Sequence, residues 1–126
     1  MKNILWLIFV IVSCQSRTPI TISNFDAGNF KNDRGGCKNE RLKALPILEA
    51  NKNKLLGSFE NQIFSTFGRY DYQILDKKNE KIFVYFLEKG AHCTQIQNSS
   101  QAQCMIIYLN SVSLVKEVIF QKGNPK

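Results

Sequence analysis

Ile82-Phe83-Val84-Tyr85-Phe86-Leu87, residues 82–87, is an apolar run without a polar interruption. A strand with one face in water alternates apolar and polar residues, so a continuous run of this length reads as a strand covered on both faces. Turn-forming residues bound it, Asp76 to Glu80 before and Glu88-Lys89-Gly90 after. Downstream, Met105 to Leu109 and Leu114 to Phe120 repeat the pattern of a short apolar segment between turns. Upstream, Tyr70, Tyr72 and Ile74 alternate with Asp71, Gln73 and Leu75, a period of two that adds a further strand.

Before Gly68 the period lengthens. Phe59, Ile63 and Phe67, joined by Phe64, form an i, i+4, i+8 stripe that predicts a helix, with Ser58 placed to cap it and Gly68 to stop it. Further back, Leu42, Leu45 and Leu48 recur at three-residue spacing and Leu55 follows a heptad after Leu48, while Lys38, Arg41, Lys43, Lys52 and Lys54 supply polar positions. Pro46 breaks that segment and predicts a kink or two short helices, the second with Pro46 in its first turn. Phe25 to Gly36 reads as irregular, with Asp33-Arg34-Gly35-Gly36 as a turn. The expected architecture is α+β: two N-terminal helices packed on one face of a three- to four-stranded antiparallel β-meander, in one domain over residues 25–122.

Helices on one side of such a sheet leave the other side open. Ile82, Val84 and Phe86 oppose Phe83, Tyr85 and Leu87, and Ile106 and Tyr108 oppose Met105, Ile107 and Leu109, so the central strands carry a second apolar face that needs a cover. The more aromatic set, Tyr72, Phe83, Tyr85, Leu87 and Tyr108, is expected to line a partner-binding surface, because tyrosine joins an apolar body to a polar tip. The competing expectation is that the preceding tether or the Glu88 to Gln103 loop folds over this set and makes it core.

The formal net charge is +7, yet the cations are scattered, with no run of five to eight Lys/Arg and no Gly-aromatic RNA-binding signature. Nucleic acid is therefore not an expected partner; a basic surface near anionic headgroups is. The start of the chain explains why a membrane is relevant. Met1-Lys2-Asn3 precedes the apolar run Ile4 to Val12, then Ser13 and Cys14, which is the order of an export leader. Nine apolar residues in a helix span about 14 Å, short of roughly 30 Å of hydrocarbon, so a permanent span is not expected. Ile11-Val12-Ser13-Cys14 resembles the lipobox of bacterial lipoproteins, which implies lipidation of Cys14 with palmitate-type acyl chains and removal of residues 1–13 as a lipoprotein signal peptide. Residues 14–24 then read as a lipidated tether containing Pro19. In lipoproteins generally, Gln15 after the cysteine implies delivery to the outer membrane, and a tether without acidic residues implies a periplasm-facing protein.

With Cys14 lipidated, Cys37, Cys93 and Cys104 remain in an oxidising compartment where disulfides persist. Cys37 with Cys93 closes a long loop worth about 4 kcal/mol in the chain-entropy model, and Cys93 with Cys104 a short one worth about 3 kcal/mol. The first is favoured because it staples the helix layer to the sheet layer; the second stays open. A metal site is not expected, since there is no Cys-x-x-Cys pair and His92 and Cys93 are awkward as adjacent ligands. His92 as base for a Cys93 nucleophile is equally poor, because neighbours on an extended chain point to opposite sides. The carboxylates show no paired motif and no glycine loop cradles phosphate, so neither a catalytic residue, a cofactor nor a small-molecule substrate is expected.

Leu55-Leu56-Gly57-Ser58 to Phe67-Gly68-Arg69-Tyr70-Asp71, followed by Phe83-Val84-Tyr85-Phe86-Leu87 and a last strand ending Val118-Ile119-Phe120, resembles the SmpA/OmlA (BamE-like) small lipoprotein domains. It is related in fold to the repeats of β-lactamase-inhibitor-like proteins. The resemblance covers roughly residues 40–121; Tyr70 stands where that family commonly has proline, and the cysteines are additional. It implies a non-catalytic, membrane-anchored envelope lipoprotein acting as a protein-binding or assembly accessory factor. The alternative, from the second likeness, is an inhibitor-like binder of a periplasmic or incoming enzyme.

Overall fold

Four strands pair in chain order: β1 (Tyr72–Leu75), β2 (Lys81–Phe86), β3 (Gln103–Leu109) and β4 (Val115–Lys122) make an open antiparallel sheet ordered β1-β2-β3-β4. The computed structural model describes residues 18–123 and 125; the leader, Cys14 and the first part of the expected tether lie outside them. Side chains build both hairpin turns. Asp76 Oδ1 accepts the Lys78 and Glu80 amides between β1 and β2, and Asn110 Oδ1 accepts the Val112 and Leu114 amides between β3 and β4.

Register decides which side chains share a face. Tyr72 lies opposite Val84, Ile82 opposite Tyr108, and Ile106 opposite Ile119, so even-numbered residues of β1, β2 and β3 fall on one side and odd-numbered ones on the other. The odd side packs under the helices. Phe83, Tyr85, Leu87, Met105, Ile107 and Leu109 form one core with Phe30, Leu48, Leu55, Ile63 and Phe67. The other side carries a smaller core of Ile82, Val84, Phe86, Ala102, Cys104 and Ile106.

The architecture is α+β, but the helical layer differs from the two helices expected. Among the described residues there are three short helices, α1 (Ala27–Asn32), α2 (Leu45–Asn51) and α3 (Glu60–Phe67), linked in part by 3₁₀ turns. α1 lies in the stretch read as irregular; Asp26 caps it by accepting the Asn29 amide at 3.0 Å, and Phe30 is its one buried anchor. The leucine-spaced segment is divided as Pro46 requires, into a 3₁₀ turn at Arg41–Ala44, α2 with proline in its first turn, and a 3₁₀ turn at Lys52–Leu55. Ser58 does not cap α3. Its carbonyl accepts the Val115 amide, and the helix start is closed by Gln62, whose side chain accepts the Phe59 amide. The end of the expected tether also belongs to the domain: Ile22 is buried in the main core, and the Ile20 amide donates to Thr66 Oγ1 at 2.8 Å.

Candidate functional site

The five residues expected to form one partner surface do not share a face. Phe83, Tyr85 and Leu87 are fully buried beneath the helices, where Tyr85 donates its hydroxyl to the Gly68 carbonyl at 2.8 Å and burial pushes its phenol pKa upward. Tyr72 and Tyr108 lie on the opposite face, half-buried beside Ile74. The physical reason is parity: a directly opposed pair in an antiparallel ladder shares a face, and Tyr72 opposes Val84 rather than an odd-numbered residue of β2.

That outer face is apolar in rows, Ile74-Ile82-Tyr108 and Tyr72-Val84-Ile106-Ile119, with Phe86-Cys104 beyond. The Glu88 to Gln103 loop comes over it. Phe86 stacks on the His92 ring at 3.6 Å between centroids, and Gly90 is so close to Ser100 that a Cβ there would meet its Oγ. Beside the covered part an open groove of about 350 Å³ remains, lined by Tyr72, Ile96, Gln97 and Pro125. Burial, and next the charge of Cys104, raise the Tyr72 phenol to about 12.

The loop is held from below by a disulfide between Cys37 and Cys93, of the two pairings considered the one that ties the segment after α1 to the sheet side. His92 reinforces it. The Gly35 carbonyl can only accept, so His92 Nε2 donates to it across 2.6 Å, and Nδ1 shares a hydrogen bond with the Ser100 hydroxyl at 2.8 Å. The 3₁₀ turn Ala91–Cys93 overturns the expectation that neighbours here point apart: Cys93 Sγ lies 3.4 Å from His92 Nε2. Donor atoms of Cys37, His92 and Cys93 fall within 4.8 Å of one another, but the two sulfurs are bonded to each other and the imidazole nitrogens are both engaged. Cys104 does not join them; it is buried on the outer face, its thiol directed to the Ala102 carbonyl and pushed by burial up to about 12.

Among the described residues the most buried charge is one that the sequence pattern places in solvent. Arg41, read as a polar helix position, is 1% exposed, between the Phe30 ring at 4.5 Å and the Tyr85 ring at 5.9 Å. It donates to the Phe30 and Phe86 carbonyls and to Asp71 Oδ2 at 2.9 Å. Asp71 also accepts the Gly35 and Phe86 amides, and Asp33 accepts the Lys38 and Arg41 amides. Burial lowers the Arg41 pKa, and the charges of Asp71 and then Asp33 oppose that. Arg41 and Asp71 thereby bind the segment between α1 and α2 to the residue before β1 and to the end of β2, while Asp33 braces that segment internally. In the sequence Asp71 stands in the polar phase of the Tyr70–Leu75 alternation together with Gln73, so it carries no separate signal.

No protein-family description, curated protein or solved structure matches this chain. Among the described residues, no helix is long and apolar enough to cross a membrane.

Proposed function

We propose that the chain is a lipid-anchored protein of the bacterial envelope that works by holding a protein partner and not by catalysis. The Cys37–Cys93 disulfide is the observation that carries this reading, because such bonds persist in exported proteins and agree with the leader and the Cys14 lipobox at the start of the chain. The buried polar groups support the non-catalytic part: the Arg41–Asp71 pair and both His92 nitrogens are taken up in bonds that hold the fold. Binding falls to the outer groove of Tyr72, Ile96, Gln97 and Pro125, with Tyr108 on the same sheet face. Phe83, Tyr85 and Leu87 are left out of it.

The resemblance to SmpA/OmlA small domains favours an accessory role in envelope assembly, on the periplasmic side of the outer membrane. An inhibitor of an incoming or periplasmic enzyme is favoured by one feature, the groove's fixation by a covalent bond on its flank, since a preordered loop loses little entropy on binding. A photo-crosslinking residue at Ile96 or Gln97 of the full chain in intact cells is expected to yield one dominant adduct with an envelope protein. An adduct with a secreted hydrolase would select the inhibitor reading. Membrane-resident protein with no adduct at either position would overturn both.

A further inference from the structure

Large apolar side chains are left in solvent at the end of the domain remote from the disulfide: Leu56 is 46% exposed, Phe59 46%, Leu75 55% and Val112 66%. The backbone brings them together. The Gly57 amide donates to the Val115 carbonyl, the Val115 amide to the Ser58 carbonyl, and the Glu60 amide to the Ser113 carbonyl, so Leu56, Phe59 and Val112 flank one short ladder. Leu75 joins through its register partner Lys81, which pairs with Glu60 at 2.9 Å. Exposed lysines surround the group: Lys52 and Lys54 beside Leu56, Lys77 and Lys78 beside Leu75, and Lys116 at the start of β4. Three acids among them are engaged, Glu60 on Lys81, Glu80 on Lys116, and Asp76 on the backbone of its own turn, and exposed Glu117 lies beside Lys116, so with Lys81 six lysines face four acids and the group keeps a net positive charge carried by Lys52, Lys54, Lys77 and Lys78.

We propose that this end of the domain docks on an anionic lipid bilayer, the one that holds the acyl chains of Cys14; the inference rests on the lipid-anchored reading. Exposed apolar tips ringed by lysines are complementary to a surface that offers acyl chains below phosphate headgroups. The chain also reaches. Ile20 is fixed to Thr66 on α3. From Cys14 to that point the tether spans up to about 20 Å, whereas Phe59 lies roughly 10 Å along the helix from Thr66. Anchor and patch can therefore sit on one membrane at once, and the disulfide-fixed groove then faces away from it.

Trp6 in the leader is the chain's single tryptophan, so the lipidated mature protein has none of its own. Val112→Trp and Ile96→Trp versions of that lipoprotein, reconstituted in phosphatidylglycerol vesicles with brominated acyl chains, report depth by quenching. Val112→Trp is expected to lose most of its emission, with less loss in phosphatidylcholine, in high salt, or when Lys52→Glu and Lys54→Glu are added; Ile96→Trp is expected to be unquenched. Equal emission from both, or quenching of Ile96→Trp instead, would overturn the docking. A photo-crosslinker at Val112 that captures protein and not lipid in cells would overturn it too. Flotation of the same vesicles reports the acyl anchor separately, so failure of the anchor and failure of the docking give different results.

Discussion

Replacing Asp71 with alanine removes the acceptor around which the interior is arranged. Its side chain and that of Arg41 are 2% and 1% exposed, so Asp71→Ala leaves a buried guanidinium without its ion-pair partner, held by the Phe30 and Phe86 carbonyls and the more distant charge of Asp33. Breaking a buried pair from one side costs about 3–5 kcal/mol, since the desolvation of the remaining charge is no longer offset. The same change strips acceptors from the Gly35 amide at 3.0 Å and the Phe86 amide at 2.7 Å, each worth about 1–3 kcal/mol if left dry. Asp71 also lines the open depression beside Cys37 and Cys93, so water can reach part of the gap and reduce that second cost. A net loss of about 4 kcal/mol is expected, against a total of about 5–15 kcal/mol for a domain of this kind. In urea denaturation at a slope of about 2 kcal/mol per molar, the midpoint falls by roughly 2 M. Arg41→Met should cost less, because Asp71 keeps both amide donors, and the double variant should be more stable than the sum of the two losses. A midpoint for Asp71→Ala within about 0.5 M of the parent would refute the reasoning.

Three further outcomes follow from the geometry. Gly36 has φ +66° and a Cβ there would stand 2.5 Å from the Leu87 carbonyl carbon, so Gly36→Ala should abolish soluble folded protein, whereas Gly57→Ala, at φ +78° in open space, should cost only about 1 kcal/mol in the same denaturation assay. Reducing the Cys37–Cys93 bond, which spans 56 residues, should lower stability by about 4 kcal/mol and speed amide exchange in the Glu88 to Gln103 loop; unchanged exchange would show that the loop is held without it. Burial keeps the folded Cys104 thiol protonated up to about 12. The unfolded thiol ionises near its ordinary value of about 8.5, so above that pH the unfolded state holds fewer protons and stability falls as pH rises. Calorimetry should find the slope beginning near pH 9 in the parent and absent in Cys104→Ala until the tyrosines titrate.

The sheet was legible because its signal is local. The 82–87 run, the 105–109 and 114–120 segments and the alternation around Tyr72 each coincide with a strand, since apolar period and turn chemistry act within a few residues. The Phe59, Ile63, Phe67 stripe marks α3 for the same reason. What failed was information between elements. Tyr72 and Tyr108 cannot be separated from Phe83 and Tyr85 by sequence alone, which gives each strand its two faces but not the register that aligns them. The burial of Arg41 is invisible locally because its partners, Asp71 and the Phe86 carbonyl, lie 30 and 45 residues away. α1 shows no apolar period because only Phe30 of its side chains is buried, and Asp26 is its main local cue. The cysteine pairing was favoured on a topological argument that needs only the layer order, and that much the sequence supplied.

This disulfide-fixed domain is proposed to hang from a membrane by Cys14. Metabolic labelling of growing cells with an alkyne analogue of palmitate, followed by membrane fractionation, tests it most directly. A labelled mature product is expected in the membrane fraction, with loss of the label in Cys14→Ser. An unlabelled wild-type protein recovered free in the soluble fraction would contradict it.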